Sequence, residues 1–166
     1  MTAAQPPALM PEIPEGFRPR RFGSGFIDAN GPLYVKKLVG AAVLGFRVEP
    51  RHCNLMGICH GGMIATFCDM LLPIAAHALS DELAPRFLPT VSLQVDYLAP
   101  SKLGAWVQGE AQLLRRTRSL VFMQGLVTAD GEAAARVSGV LKIGPRFDDA
   151  QAPQARAAEV KPASAP

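Results

Sequence analysis

The chain has 166 residues, of which 49% are hydrophobic and 19% are charged, a balance typical of one globular domain with its own hydrophobic core. Its 17 basic and 14 acidic residues leave a net charge of +3, without the clustered lysines and arginines of a nucleic-acid-binding surface. The N-terminal sequence has no basic segment followed by an apolar core, which argues against export, so the three cysteines favour a cytoplasmic location.

Composition divides the chain into one domain and two tails. Residues 1–15 are rich in proline, and residues 145–166 are mostly alanine and proline with scattered charges. Neither segment can bury enough apolar surface to order itself, so we predict that both are disordered. The domain is then expected to cover residues 16–144, with a short helix or turn over residues 17–30.

Alternating apolar residues predict six strands in this domain. The strands cover residues 33–39, 41–48, 90–98, 106–114, 119–129 and 133–143. The dipeptide Asp130-Gly131 predicts a tight hairpin between the last two. Several antiparallel strands around one central helix form an α+β architecture.

The central helix is predicted within residues 54–81, between the second and third strands. The stretch begins with polar residues and glycines and continues with apolar residues that recur at intervals of three and four on two adjacent stripes. Such a helix has to be covered on most sides, by a curved sheet and by a second subunit. Asp69, Pro73 and His77 interrupt the apolar run, which argues against a membrane span.

Two residues of this helix need an explanation. Burying the charged carboxylate of Asp69 without partners would cost several kcal/mol, so the residue needs a functional or structural reason. Pro73 has no N–H to donate to the Asp69 carbonyl, so we predict a kink or break just after Asp69. The alternative is that Pro73 begins a second helix.

One spaced motif carries a family resemblance. Asn54, Gly57, His60, Gly61 and Gly62 form the pattern N-x-x-G-x-x-H-G-G, and a carboxylate follows nine residues after the histidine. Flanking stretches agree with it: GPLYVK at 31–36, TVSLQVDYLAP at 90–100 and ADGEAAARVSG at 129–139. Over residues 22–143 the chain resembles the hotdog-fold acyl-CoA thioesterases of the phenylacetate-degradation type. The resemblance implies a sheet wrapped around one long helix, with two such units paired.

The resemblance also implies the central chemistry. The backbone N–H of Gly61, at the helix N-terminus, would polarise the thioester carbonyl. Asp69 matches the family's carboxylate, which activates the attacking water as general base or attacks directly as nucleophile. In the family this carboxylate faces the loop of the other subunit, so each site would need two chains.

Further positions are carried over from the same resemblance. Asn54 would help to hold the thioester, and His60 would steady the loop or the leaving sulfur. Thr90 would position the water, with Ser92 as the alternative if the register differs by two residues. The residues expected to bind substrate or coenzyme A are Gly62, Arg116, Arg118, Tyr34 and Phe67. Leu72 and Pro73 stand where the family has small residues, a departure that concerns the shape of the pocket.

The basic residues admit two interpretations. Arg115, Arg116 and Arg118 in one turn could meet the phosphates of coenzyme A, and Arg20 and Arg21 are weaker candidates. The same residues could simply be a solvated turn.

Rival interpretations remain open at this level. The pairs His52-Cys53 and Cys59-His60 match no usual zinc spacing, so no metal is expected. Hotdog dehydratases or hydratases, a non-catalytic acyl-CoA binding protein and an inert scaffold are the alternative functions. The preferred interpretation is a thioesterase for acyl-CoA, without metal or redox cofactor, that assembles as a homodimer or homotetramer. The acyl group stays open between aromatic, medium-chain and short-chain thioesters.

Overall fold

The structure, a computed structural model, describes residues 12–22 and 25–148. Its elements in chain order are β1 (Arg18–Arg20), α1 (Gly25–Asn30), β2 (Leu33–Leu38), β3 (Ala41–Arg47), a 3-10 turn (Pro50–His52), α2 (Gly61–Leu79), β4 (Thr90–Tyr97), β5 (Trp106–Arg116), β6 (Leu120–Ala129) and β7 (Glu132–Lys142). The six predicted strands and the predicted central helix are all present.

The strands form one seven-stranded sheet in the order β1-β2-β3-β5-β6-β7-β4, with antiparallel pairing between all neighbours. The turn between β6 and β7 has positive φ at Asp130 (48°) and Gly131 (92°), the combination required by a two-residue hairpin. The helix α2 connects β3 to β4, which lies at the far edge of the sheet. The predicted α+β architecture, a sheet wrapped around one long helix, is confirmed.

The sequence did not predict β1. This strand has three residues, all exposed, and pairs with β2 through Arg18 opposite Val35 and Arg20 opposite Leu33. Pro19 at its centre cannot donate to a ladder, so the segment is acceptable only at a sheet edge, where β1 lies. The expected helix or turn over residues 17–30 is correct only for its second half, α1.

The helix α2 forms the centre of the core. Nine of its residues are buried: Met63, Ile64, Phe67, Cys68, Leu71, Leu72, Ile74, Ala75 and Ala76. The sheet approaches it closely at two glycines, because a Cβ on Gly109 would lie 2.6 Å from Leu71 Cδ2 and one on Gly139 would lie 2.5 Å from Leu72 Cδ1. The large side chain of Leu72 is therefore accommodated by a missing side chain on β7.

Pro73 lies inside a single continuous helix. The alternative that it begins a second helix is wrong, whereas the kink after Asp69 stays a prediction. By length and hydropathy α2 would also pass as a membrane span, but its buried residues belong to the same hydrophobic core as residues of the sheet, as in a globular domain.

Contacts extend into both predicted tails. The Glu12 carbonyl accepts a hydrogen bond from Arg47 Nη2 at 2.6 Å. At the other end, the Phe147 N–H donates to the Pro85 carbonyl at 3.0 Å, and its ring packs against His77 at 6.0 Å. Packing therefore continues past residue 144, where the sequence predicted the end of the domain. The remaining parts of the tails, residues 1–11 and 149–166, lie outside the described residues.

Candidate active site

The N-terminus of α2 is closed by a histidine cap. His60 has extended backbone angles, and its Nδ1 accepts a hydrogen bond from the Gly62 N–H at 2.8 Å. Its own N–H donates to the His52 carbonyl at 2.7 Å, which ties the helix start to the preceding 3-10 turn. His60 thus has the capping function that a lone histidine at a helix start often has, and this function holds the loop in place.

The His60 side chain accepts a hydrogen bond from the Gly62 N–H but not from the Gly61 N–H. Within the described part of the chain the Gly61 N–H has no acceptor, as expected for one of the first donors of a helix. The Gly61 carbonyl accepts a hydrogen bond from the Tyr97 hydroxyl at 2.9 Å, at the end of β4. A donor at the positive end of the helix dipole can polarise a carbonyl or bind a developing oxyanion.

Asp69 lies two turns further along α2. It is half-buried, and its Oδ1 accepts a hydrogen bond from the Thr90 hydroxyl at 2.7 Å. Thr90 is the first residue of β4, so this hydrogen bond joins the helix to the edge strand of the sheet. The sequence pointed to Thr90 with Ser92 as the alternative, and in the structure Thr90 is the residue that donates a hydrogen bond to the carboxylate.

The two groups of polar atoms are separated along the helix. Gly61 and Asp69 are eight positions apart on α2, which corresponds to a rise of about 12 Å along the axis. The edge strand β4 runs in the opposite direction beside the helix, with Thr90 at Asp69 and Tyr97 at Gly61.

Asn54 belongs to the group at the helix start. Its Oδ1 accepts from the Met56 N–H at 2.9 Å within the turn before α2. Together with Gly61, Ile64 and Tyr97 it lines an open surface cavity, whose rim also includes residues 98–101. The Oδ1 atom of Asn54 is thus engaged within the turn, and its side-chain amide nitrogen has no hydrogen-bond acceptor among the described residues.

Cys59, next to His60, does not have the properties of a catalytic nucleophile. Burial raises the pKa of the Cys59 thiol to about 12, and burial has the same effect on Cys68 in α2. At neutral pH both thiols are protonated, and the thiolate is the reactive form.

Two of the predicted substrate-binding residues lie elsewhere. Tyr34 packs against Trp106 with 5.7 Å between ring centroids, on the outer face of the sheet, because β2 points Leu33 and Val35 into the core. Phe67 is 0% exposed and packs against Phe46 in the core. Neither side chain is brought together with Asp69 or Gly61 in this structure.

The arginines lie at the end of the sheet that carries Thr90. Strand pairing aligns Thr90 with Leu141, Leu141 with Val121, and Val121 with Arg116. Arg116 forms an ion pair with Glu82, so its charge already has a partner, while Arg118 is exposed in the following turn.

Tyr97 is a residue of this site that no sequence motif singled out. The residue is 57% exposed, and its hydroxyl contacts the helix start. The only signal was its position within the stretch TVSLQVDYLAP that supported the resemblance.

Comparisons with known proteins agree with this geometry. Residues 56–135 match the family model described as Thioesterase superfamily. A protein of Pseudomonas aeruginosa that is named an esterase is 28% identical over 135 residues, covering 81% of this chain and 99% of that protein. Human acyl-coenzyme A thioesterase 13 is 30% identical over 83 residues, and the aligned region covers 50% of this chain and 57% of that protein.

A solved structure extends the agreement to three dimensions. A mutant of the phenylacetic acid degradation protein PaaI from Thermus thermophilus superposes with a TM-score of 0.57 at 27% identity, covering 72% of this chain and 99% of that one. The chain therefore contains a region, residues 56–135, that matches the thioesterase superfamily and has the hotdog fold, and these similarities support a thioester hydrolase.

Proposed function

We propose that the protein hydrolyses acyl-CoA thioesters to the free acid and coenzyme A. The observation that carries the proposal is the pairing of an unengaged amide at the start of α2 with a carboxylate, Asp69, held by Thr90. The similarity to acyl-coenzyme A thioesterase 13, although limited to part of each chain, supports coenzyme A as the carrier of the acyl group.

The active site is formed by two copies of the chain. One water molecule cannot contact both Asp69 and a carbonyl held by Gly61 of the same helix, because the two are about 12 Å apart along its axis. A second copy that presents its own helix start to Asp69 removes this difficulty.

The edge strand supplies a way to place that second copy. β4 ends the sheet, so one of its two edges has no neighbour among the described strands, and Val91 is 61% exposed on it. Exposed edges of this kind readily pair with another strand. Antiparallel pairing of two β4 strands about a two-fold axis sets Thr90 of one copy opposite Tyr97 of the other. Asp69 then lies near Gly61 of the partner subunit.

The reaction follows from this arrangement. The thioester oxygen accepts a hydrogen bond from the Gly61 N–H, which makes the carbonyl carbon more electrophilic. Asp69 takes a proton from a water molecule, and the resulting hydroxide attacks that carbon. The tetrahedral intermediate collapses, the carbon–sulfur bond breaks and the thiolate of coenzyme A leaves. Thr90 fixes one carboxylate oxygen so that the other faces the water.

Direct attack by Asp69 is the other route, and isotope labelling separates the two. In a single turnover in ¹⁸O-water, general-base catalysis puts the label only into the acid product. Nucleophilic catalysis, which we do not expect, forms a mixed anhydride with Asp69, and attack of water on the Asp69 carbonyl of that anhydride would leave label in the carboxylate.

The phosphates of coenzyme A are assigned to Arg118. Arg116 is engaged by Glu82, whereas Arg118 is exposed at the same end of the sheet as Thr90. Arg118→Ala should raise KM for acyl-CoA several-fold at low salt, and the difference should shrink as salt screens the interaction. An unchanged KM would remove Arg118 from the site.

The proposed function is tested with a panel of aromatic, medium-chain and short-chain acyl-CoA thioesters, and a chromogenic disulfide is added to quenched samples to detect free thiol. The wild type should release thiol from at least one class, and Asp69→Asn should not. Binding without turnover would indicate a non-catalytic acyl-CoA protein, and hydration or dehydration without thiol release would indicate the other hotdog chemistry.

A further inference from the structure

Two cysteines face each other at the base of the loop that precedes α2. Cys53 and Cys59 are partners in an isolated antiparallel bridge. The Asn54 N–H donates to the Ile58 carbonyl at 2.9 Å, and the His60 N–H donates to the His52 carbonyl at 2.7 Å. These hydrogen bonds flank the cysteine pair on both sides, so it is a non-hydrogen-bonded pair of the ladder.

This type of pair brings the side chains close together. Cα atoms in a non-hydrogen-bonded antiparallel pair are about 4.5 Å apart, with the Cβ atoms on the same face of the ladder. A disulfide requires Cα atoms about 4.4–6.8 Å apart. The backbone at Cys53 and Cys59 therefore already has the spacing that a disulfide needs.

Both sulfurs are free thiols in the described structure, and their surroundings differ. Cys53 is half-buried, whereas Cys59 is 6% exposed and its thiol pKa is raised to about 12 by burial. The more accessible Cys53 can meet a solvent-borne oxidant first. The raised thiol pKa of Cys59 also favours the disulfide. A protein disulfide is easily reduced when the thiolate of its reduced form is stabilised, and burial of Cys59 has the opposite effect.

We propose that Cys53 and Cys59 form a reversible intramolecular disulfide that lowers the activity of the enzyme, with a low-molecular-weight disulfide as the oxidant. The Cys53 thiolate attacks one sulfur of the oxidant, and the first small thiolate leaves. The Cys59 sulfur then loses its proton, attacks the Cys53 sulfur of the mixed disulfide and displaces the second small thiolate. Two protein thiols are oxidised, one small disulfide is reduced to two thiols, and the two protons end on those thiols.

The cross-link acts on the residues around the helix start. It closes the loop of residues 54–58, which carries Asn54, and it lies directly before the His60 cap. Bonding would draw the Cβ atoms from about 4.5–5.5 Å to about 3.8 Å. A displacement of this size beside the Gly61 amide is sufficient to reduce turnover, since misplacement by about 1 Å can cost a large factor in rate.

The sequence provides a direct assay for the link. Cyanogen bromide cleaves after methionine, so Cys53 falls in the fragment 11–56, Cys59 in 57–63 and Cys68 in 64–70. The folded wild type is incubated with oxidised glutathione, its remaining thiols are alkylated at acidic pH, and the fragments are analysed by mass spectrometry without reduction. We expect fragments 11–56 and 57–63 as one covalent pair, lighter by two hydrogen atoms than their sum and separated by dithiothreitol.

Matched variants keep the test decisive. Cys68→Ala should form the same pair, whereas Cys53→Ser should not. Cys53→Ser is preferred to a Cys59 variant because it keeps the buried Cys59, whose replacement could prevent folding. Glutathione that remains on Cys53 with Cys59 free, or a link between two chains on a non-reducing gel, would overturn the proposal.

The effect on activity is a separate measurement that depends on the proposed function. Hydrolysis of acyl-CoA is followed by the absorbance of the thioester, so that no disulfide reagent is needed. The rate should fall several-fold in the oxidised wild type and recover with dithiothreitol, whereas the rate of Cys53→Ser should not respond to oxidised glutathione. A cross-linked protein with unchanged turnover would overturn the inhibitory effect. Absence of thioesterase activity in the reduced protein would refute the proposed function and leave the mass measurement unaffected.

Discussion

The Thr90 hydroxyl donates a hydrogen bond to Asp69 Oδ1 at 2.7 Å, which joins the first residue of the edge strand β4 to the middle of the central helix. At the other end of the same strand the Tyr97 hydroxyl donates to the Gly61 carbonyl at 2.9 Å. One edge strand thus holds Asp69 and the start of α2 at a fixed distance from each other.

Replacing the carboxylate should abolish most of the activity. Asp69→Asn keeps the size of the side chain and an oxygen for Thr90 but cannot take a proton from water, so kcat should fall by about 10²–10⁴-fold. Glu110→Gln, which neutralises an exposed carboxylate on β5, is the matched control and should stay near the wild-type rate. Comparable losses in the two variants would show that charge alone is responsible.

The hydroxyl of Thr90 should matter more than its methyl group. Thr90→Ala removes the hydrogen bond to Asp69, so we expect a fall in kcat of about tenfold or more as the carboxylate loses its fixed orientation. Thr90→Ser keeps the hydroxyl and should recover most of the rate. Steady-state kinetics with both variants at equal thermal stability checks this, and an inactive serine variant would argue against a positioning hydroxyl.

The Gly61 amide can be removed without disturbing the start of the helix. Proline is well accepted at the first helical position, and His60 has the extended angles (φ −62°, ψ 136°) that a residue before proline adopts. Gly61→Pro should therefore keep the fold but lower kcat by about 10²–10³-fold, the effect of losing one oxyanion donor.

Gly61→Ala is the control for that change, because it keeps the N–H. A Cβ at this position would meet the Tyr97 ring at 3.4 Å, which is an ordinary contact, so activity should fall only a few-fold. Equal kinetics for the proline and alanine variants would mean that the amide does not act on the substrate.

Stability should decrease with mild acid because of a half-buried histidine, His77. Burial lowers the pKa of His77 below its ordinary value of 6.5, with its Nε2 at 2.9 Å from the Arg86 carbonyl. The unfolded chain then binds more protons than the folded one once the pH falls below about 6.5, so the free energy of unfolding decreases until the folded pKa is passed. His77→Gln does not titrate and should flatten part of this slope in thermal melts between about pH 8 and pH 5.5. An identical slope in both proteins would contradict the assignment.

Local sequence patterns predicted most of the fold. The spacing of apolar residues in α2 and the alternation along the strands record which side faces the core, and the Asp130-Gly131 hairpin depends on backbone angles that few residues adopt. β1 was not predicted because its three exposed residues, with Pro19 at the centre, show no alternation of apolar and polar side chains.

The site was less accessible to sequence analysis than the fold. The motif singled out Gly61 and Asp69 as candidates, whereas the positions of the other residues depend on side-chain alternation, core packing and contacts between distant segments. Tyr34 lies on the outer face of the sheet because side chains alternate along β2, and Phe67 packs in the hydrophobic core. Tyr97 reaches the helix start because β4 runs beside α2. The placements of Tyr34 and Phe67 follow the local periodicity of their elements, whereas the contact of Tyr97 with the helix start does not.

Mixing two inactive variants tests the shared site most directly. Asp69→Asn and Gly61→Pro each disable both sites of a homodimer, but a heterodimer has one site that combines Asp69 from one chain with the Gly61 amide from the other. After the two proteins are co-refolded in equal amounts, we expect thioesterase activity to return to about a quarter of the wild-type value, since half of the random dimers are mixed and each has one intact site. Activity that stays at the level of the separate variants, in a sample shown to contain heterodimers, would contradict it.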